Sequence, residues 1–256
     1  MCYDDNARPP LPPGEAGPAH GHDGVLTAAD GNQFAAYLAH PADHASNAQI
    51  IIYPDVRGLH QFYKELALRF AEAGVTAIAI DYFGRTAGLT PRDDSFEFMP
   101  HVQQMKIESF TQDVRAAQDE LRKRNPSGQA TFTVGFCMGG TLSFTTGMDT
   151  SLGFAGVIGF YAGMSRNFGG AGTILDRAAE ISYPSLGLFG GADQGIPVSN
   201  VQEFDEKLNA TGIEHTIIIY ENAPHSFFDR KYAEFASESA DAWQQVLSFI
   251  NAHIPA

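Results

Sequence analysis

The chain has 256 residues, 44% of them apolar and 18% charged, which suits one sizeable globular domain whose core needs no covalent staples. A net charge of −14 argues against nucleic acid and anionic membrane surfaces as partners, although local arginines could still gather a small anion. Only two cysteines, Cys2 and Cys137, are present; they point away from a disulfide framework and toward a reducing, cytoplasmic setting, and neither a signal-peptide core nor a membrane span of roughly 20 apolar residues is visible.

In chain order, residues 1–24 carry Pro9, Pro10, Pro12, Pro13 and Pro18 and read as an irregular arm ahead of a single domain over 25–256. Residues 24–38 suit a hairpin that turns at Asp30-Gly31. Residues 49–53 form an almost wholly apolar strand, followed by a loop over 54–59 and a helix over 61–73. A second apolar strand covers 75–80, and 113–124 reads as a helix stopped by Asn125-Pro126. Residues 131–136 are a strand and lead into a helix ending near Met148; another strand spans 156–161. The Gly-rich stretch 168–172 lacks the Lys-Ser/Thr of a phosphate loop and reads as a plain loop. Two further strands, 185–189 and 216–220, flank a helix over 199–209, and a last helix runs over 232–252. Continuous apolar strands alternating with amphipathic helices predict an α/β fold with a mostly parallel sheet covered on both faces.

The segment Gly135-Phe136-Cys137-Met138-Gly139-Gly140 sits where a strand should turn sharply into a helix. That is the nucleophile-elbow pattern of α/β-hydrolases with cysteine in place of serine. In so tight a turn, side chains two positions to either side would collide with the nucleophile, and Gly135 and Gly139 carry none. The amide of Met138, at the helix start, would face an oxyanion formed at the sulfur. Alone, the motif also fits a buried cysteine at a glycine-rich strand end. Two later segments give it context. Asp193, in Gly190-Gly191-Ala192-Asp193, lies where a strand end opens into a turn, and Pro197 introduces the next helix. His225, in Pro224-His225-Ser226-Phe227, directly follows the last strand. Nucleophile, acid and histidine thus occur in α/β-hydrolase order. A thiol needs a base to form thiolate near neutral pH, and His225 could supply it while Asp193 fixes the imidazole tautomer.

From about Gly24 to Ile250 the chain resembles the dienelactone hydrolase family, on the strength of the Gly135–Gly140 segment, Gly191-Ala192-Asp193 with Pro197, and Pro224-His225-Ser226-Phe227. The resemblance implies an α/β-hydrolase fold and a carboxymethylenebutenolidase-type ester hydrolase. It implies a Cys137, Asp193 and His225 triad that works through a thioester, with no cofactor and no metal. It further implies that Asp55 touches the resting thiol and that the Val56 amide joins Met138 in the oxyanion hole; Asp55 is one methylene shorter than the family's Glu. In the family an arginine four residues after the histidine binds a substrate carboxylate. Here that position is Asp229, with Arg230 one later. Arg230, Arg85 and Arg92 are therefore candidate clamps, and Tyr82, Phe83, Tyr161 and Phe227 are candidate pocket residues. The expected partner is a small ester or lactone, and the expected state a monomer or homodimer. A broad carboxylesterase or thioesterase, a non-catalytic ligand-binding protein on the same fold, and a redox-active cysteine protein remain alternatives.

Overall fold

A computed structural model describes residues 6–255; Cys2 lies outside them. The β-branched and small residues of β3 (Ala48–Tyr53), β4 (Thr76–Ile80), β5 (Ala130–Phe136), β6 (Gly156–Phe160) and β7 (Ser185–Gly190) are buried at every position. Burial on both faces is what an unbroken apolar run requires, and here helices cover the sheet on both sides. With β1 (Ala19–Thr27), β2 (Gln33–Pro41) and β8 (His215–Tyr220) they form one eight-stranded sheet in the order β1-β2-β4-β3-β5-β6-β7-β8. Pairings β1–β2 and β2–β4 are antiparallel, and the remainder are parallel. The C-terminal ends of the parallel strands therefore share one edge, where ligand crevices form in such sheets.

Two helices differ from the sequence expectation at their starts. The helix expected over 113–124 begins earlier, as Ile107–Arg124, because Phe110, Val114, Ala117 and Leu121 form one buried stripe. The last helix begins later, at Ala236, and runs to Ala252. The short helices Gly84–Ala87, Met99–Gln104 and Ile174–Arg177 had no amphipathic period to reveal them.

The boundary of the N-terminal arm is corrected. Residues 19–24 belong to β1, an edge strand held by its ladder with β2, from Ala19 opposite Pro41 to Thr27 opposite Gln33. Its side chains are mostly exposed, so composition could not announce it. The rest of the described arm is strapped to the domain. Pro9 and Pro10 are buried, and the Pro10 carbonyl accepts the Trp243 indole N–H at 3.0 Å. Arg8 pairs with Glu65 at 3.1 Å, and the Gly17 amide donates to the Glu72 carbonyl at 2.9 Å.

Candidate active site

Cys137 joins β5 to the helix Met138–Thr146 with φ 54° and ψ −114°. Left-handed backbone at a non-glycine residue costs on the order of 1–3 kcal/mol and collects at functional turns. The two flanking glycines permit it by letting backbone approach backbone. A Cβ on Gly135 would lie 1.9 Å from the Gly139 carbonyl oxygen, and one on Gly139 would lie 2.1 Å from the Tyr53 carbonyl oxygen. Both collisions are with backbone, so the elbow closes only by direct packing of the helix start on β5 and on the end of β3. The Cys137 amide donates to the Phe160 carbonyl at 3.1 Å, which pins the turn to β6.

His225 and Asp193 meet because the loops after β7 and β8 are stitched together. The Gly191 amide donates to Tyr220 at 2.8 Å and the Ala192 amide to Ala223 at 3.0 Å. A Cβ on Gly190 would stand 2.3 Å from the Ala223 carbonyl oxygen, so this approach also needs glycine. Asp193 Oδ2 lies 2.6 Å from His225 Nδ1, and its Oδ1 accepts the Gly195 amide at 2.8 Å. The carboxylate is 2% exposed and the imidazole 33% exposed, so the carboxylate is sheltered while the imidazole reaches the cleft.

That cleft, of about 860 Å³, is lined by Cys137, Met138, Val56, Asp193 and His225, with Met164, Phe168 and Ile196 on its apolar walls. Val56 is held by its neighbours. The Tyr82 hydroxyl donates to the carbonyls of Pro54, at 2.9 Å, and Asp55, and the Asp55 amide donates to the Tyr63 hydroxyl at 3.0 Å. Asp55 is fully buried, and its Oδ1 accepts the Arg57 amide at 2.9 Å.

Five of the expected substrate contacts lie elsewhere. Phe83 is buried against the ring of Tyr82, at a ring separation of 4.7 Å. Tyr82 is 4% exposed and props up the Val56 loop from beneath. Phe227 is fully buried against Tyr161 and Tyr220, at ring separations of 5.7 Å and 5.0 Å. Arg85 bridges Asp30 at 2.6 Å and Asp113 at 2.8 Å, away from the cleft. Arg92 forms a buried pair with Asp81 at 2.7 Å. Arg230 and Tyr161 do line the cleft, and beside them stand Arg166 and Lys231, two cations that sequence spacing did not single out. Asp229 is buried behind Tyr161, whose hydroxyl donates to its Oδ2 at 2.7 Å. Burial pushes the Asp229 carboxyl up to about 7, and nearby Asp55 adds to the rise, against the hydrogen bonds from Tyr161 and the Arg230 amide. Among the described residues, no group of three or more His, Cys, Asp or Glu side chains is placed to hold a metal, and no helix is long and apolar enough to cross a membrane.

The family model for dienelactone hydrolases matches residues 34–254. The chain belongs to the dienelactone hydrolase family. It is thus a dienelactone hydrolase-like hydrolase acting on ester or lactone bonds. A carboxymethylenebutenolidase of Pseudomonas putida is 27% identical over 231 residues, covering 86% of this chain and 92% of that protein. Among solved structures, the dienelactone hydrolase-like promiscuous phosphotriesterase P91 from metagenomic libraries superposes with a TM-score of 0.75 at 18% identity, covering 93% of this chain and all of that one, 100%. The Pyrococcus furiosus esterase Pf2001 does so with a TM-score of 0.67 at 14% identity, covering 97% of each chain. At such identities these two structures share the fold with the present chain and nothing finer.

Proposed function

We propose that this dienelactone hydrolase-like enzyme cleaves its substrate through a Cys137, His225 and Asp193 triad and a thioester on Cys137. The observation that carries this reading is the 2.6 Å contact between His225 Nδ1 and buried Asp193, opening on the same cleft as the strained elbow cysteine. With Nδ1 committed to the carboxylate, Nε2 is the nitrogen that exchanges protons. The Cys137 sulfur attacks the acyl carbon as its proton passes to Nε2. The amides of Met138 and Val56 hold the resulting oxyanion. Collapse expels the alcohol oxygen, which takes the proton from Nε2; in a lactone it stays attached to the acyl group. Water then attacks the thioester carbon and loses a proton to Nε2. The carboxylic acid departs, and the sulfur recovers the proton. A merely ligand-binding or redox cysteine would not need a carboxylate-oriented imidazole.

Mass spectrometry after incubation with a slowly hydrolysed ester tests this directly. A thioester adduct should map to Cys137; an adduct on serine, or no covalent species under turnover, overturns the mechanism.

The broader esterase reading is favoured by one observation: Asp229, and not an arginine, occupies the fourth position after His225. Of the clamp candidates, Arg230 alone opens on the cleft, where Arg166 and Lys231 add positive charge. Arg230→Ala is expected to raise KM several-fold for a carboxylate-bearing lactone and to leave a neutral aryl ester nearly unchanged. Equal effects on both substrates would assign Arg230 to packing and favour the broader esterase.

A further inference from the structure

Tyr161 holds an unusual position. Its backbone φ is +36°, in the left-handed region that a bulky residue seldom adopts, and its amide donates to the Leu188 carbonyl at 2.8 Å. The preceding residue, Phe160, accepts the amide of Cys137 at 3.1 Å. The ring of Tyr161 lies 4.8 Å from the imidazole of His225, centroid to centroid. One dipeptide at the end of β6 therefore grips the nucleophile by its backbone and the base by an aromatic ring. Strain of this kind persists only when the surroundings over-determine it, and it gathers at working sites.

The hydroxyl of Tyr161 explains what fixes that ring. It donates at 2.7 Å to Asp229 Oδ2, a carboxyl 1% exposed that also accepts the Arg230 amide on its other oxygen. Asp229 in turn sits on the same turn as the base: its amide donates to the Ser226 carbonyl at 3.3 Å, one residue after His225. A buried carboxyl without a role is costly, and replacing it by an apolar residue would be neutral or better if packing were its only task.

We propose that Asp229 and Tyr161 form a second, buried pair that positions His225, with the Asp229 carboxyl anchoring the tyrosine hydroxyl so that the ring holds the imidazole in line with Cys137. Asp193 fixes the imidazole through its edge, at Nδ1; the tyrosine ring fixes it through packing. Neither Asp229 nor the tyrosine hydroxyl takes part in proton transfer. This inference rests on His225 being the base of the proposed triad.

The test uses the full chain and a neutral aryl ester, with Cys137→Ala measured alongside. Tyr161→Phe keeps the ring and removes its anchor, and should lower kcat roughly tenfold or more while KM stays within about twofold, because misplacing a proton-transfer group by a fraction of an ångström slows chemistry without weakening binding. Asp229→Asn can keep its oxygen on the Arg230 amide and donate its own N–H to the tyrosine oxygen, so the anchor survives with its direction reversed, and the variant should stay within about threefold of the wild-type kcat. Asp229→Leu removes the acceptor and should match Tyr161→Phe, and combining the two should be no worse than the poorer single variant. Should Asp229→Leu not fold, the contrast between Tyr161→Phe and Asp229→Asn decides. A Tyr161→Phe enzyme with near wild-type kcat, a loss confined to KM, or an Asp229→Asn as damaged as Tyr161→Phe overturns the proposal. Cys137→Ala separates the two levels: if it is inactive while Tyr161→Phe is unimpaired, only the positioning pair fails, whereas an active Cys137→Ala overturns the triad and the pair together.

Discussion

His225→Ala and Asp193→Asn are each expected to lower kcat by roughly 10³- to 10⁴-fold, since members of a triad act as a unit. Losing His225 would remove the proposed base, which in the triad reading both accepts the thiol proton and returns it to the leaving oxygen. Asp193→Asn is the subtler change. It keeps the shape and the contact with Gly195, but an amide nitrogen can face Nδ1 and turn the imidazole to the wrong tautomer. Because the imidazole is partly exposed, neither variant opens a large core cavity, and urea unfolding midpoints should stay close to wild type. Single-turnover and steady-state rates on one ester suffice. An Asp193→Asn enzyme with undiminished kcat would show that the 2.6 Å contact is not catalytic and that another carboxylate orients the base.

The second large effect is on folding. Gly135→Ala should destabilise the protein by about 3 kcal/mol or more, because the new methyl would sit 1.9 Å from a carbonyl oxygen of the elbow helix with no flexible side chain to give way. Gly24→Ala is the matched control: nothing lies within 4 Å of its Cβ, so it should change stability by no more than about 0.5 kcal/mol. Denaturant titrations of the two variants check the contrast. If Gly135→Ala unfolds like Gly24→Ala, the elbow has room to spare, and the glycines answer to something other than backbone crowding.

The frame of the candidate site was legible in the sequence because Cys137 and Asp193 stand at strand ends between glycines and His225 follows the last strand directly behind Pro224. A strand end followed by Gly-x-Cys-x-Gly, by Gly-Gly-x-Asp or by Pro-His names both a place and a chemistry. What was not legible depended on side-chain direction. Tyr82 and Arg85 follow β4 as closely as any pocket residue should, yet one turns beneath the Val56 loop and the other toward acids at 30 and 113. Phe227 is two residues from His225 and faces the core. The pairing of Tyr161 with Asp229 spans 68 positions, and no local pattern carries it. The first part of β1, residues 19–23, escaped notice for a different reason: an edge strand is made by backbone pairing, and its exposed His20, His22 and Asp23 have no apolar alternation to show, whereas the hairpin expected over 24–38 already held its second part.

The strap formed by the N-terminal arm has a consequence for the order of events during synthesis. Pro10 leaves the ribosome 233 residues ahead of Trp243, whose indole N–H its carbonyl accepts. At a translation rate of roughly 5–20 residues per second, the arm waits more than ten seconds for its anchor. The β1–β2 hairpin and the early parallel strands can pair in that interval, but the arm can lock only when the last helix has docked. Its closure is therefore a late step, and it joins the first and last parts of the described chain.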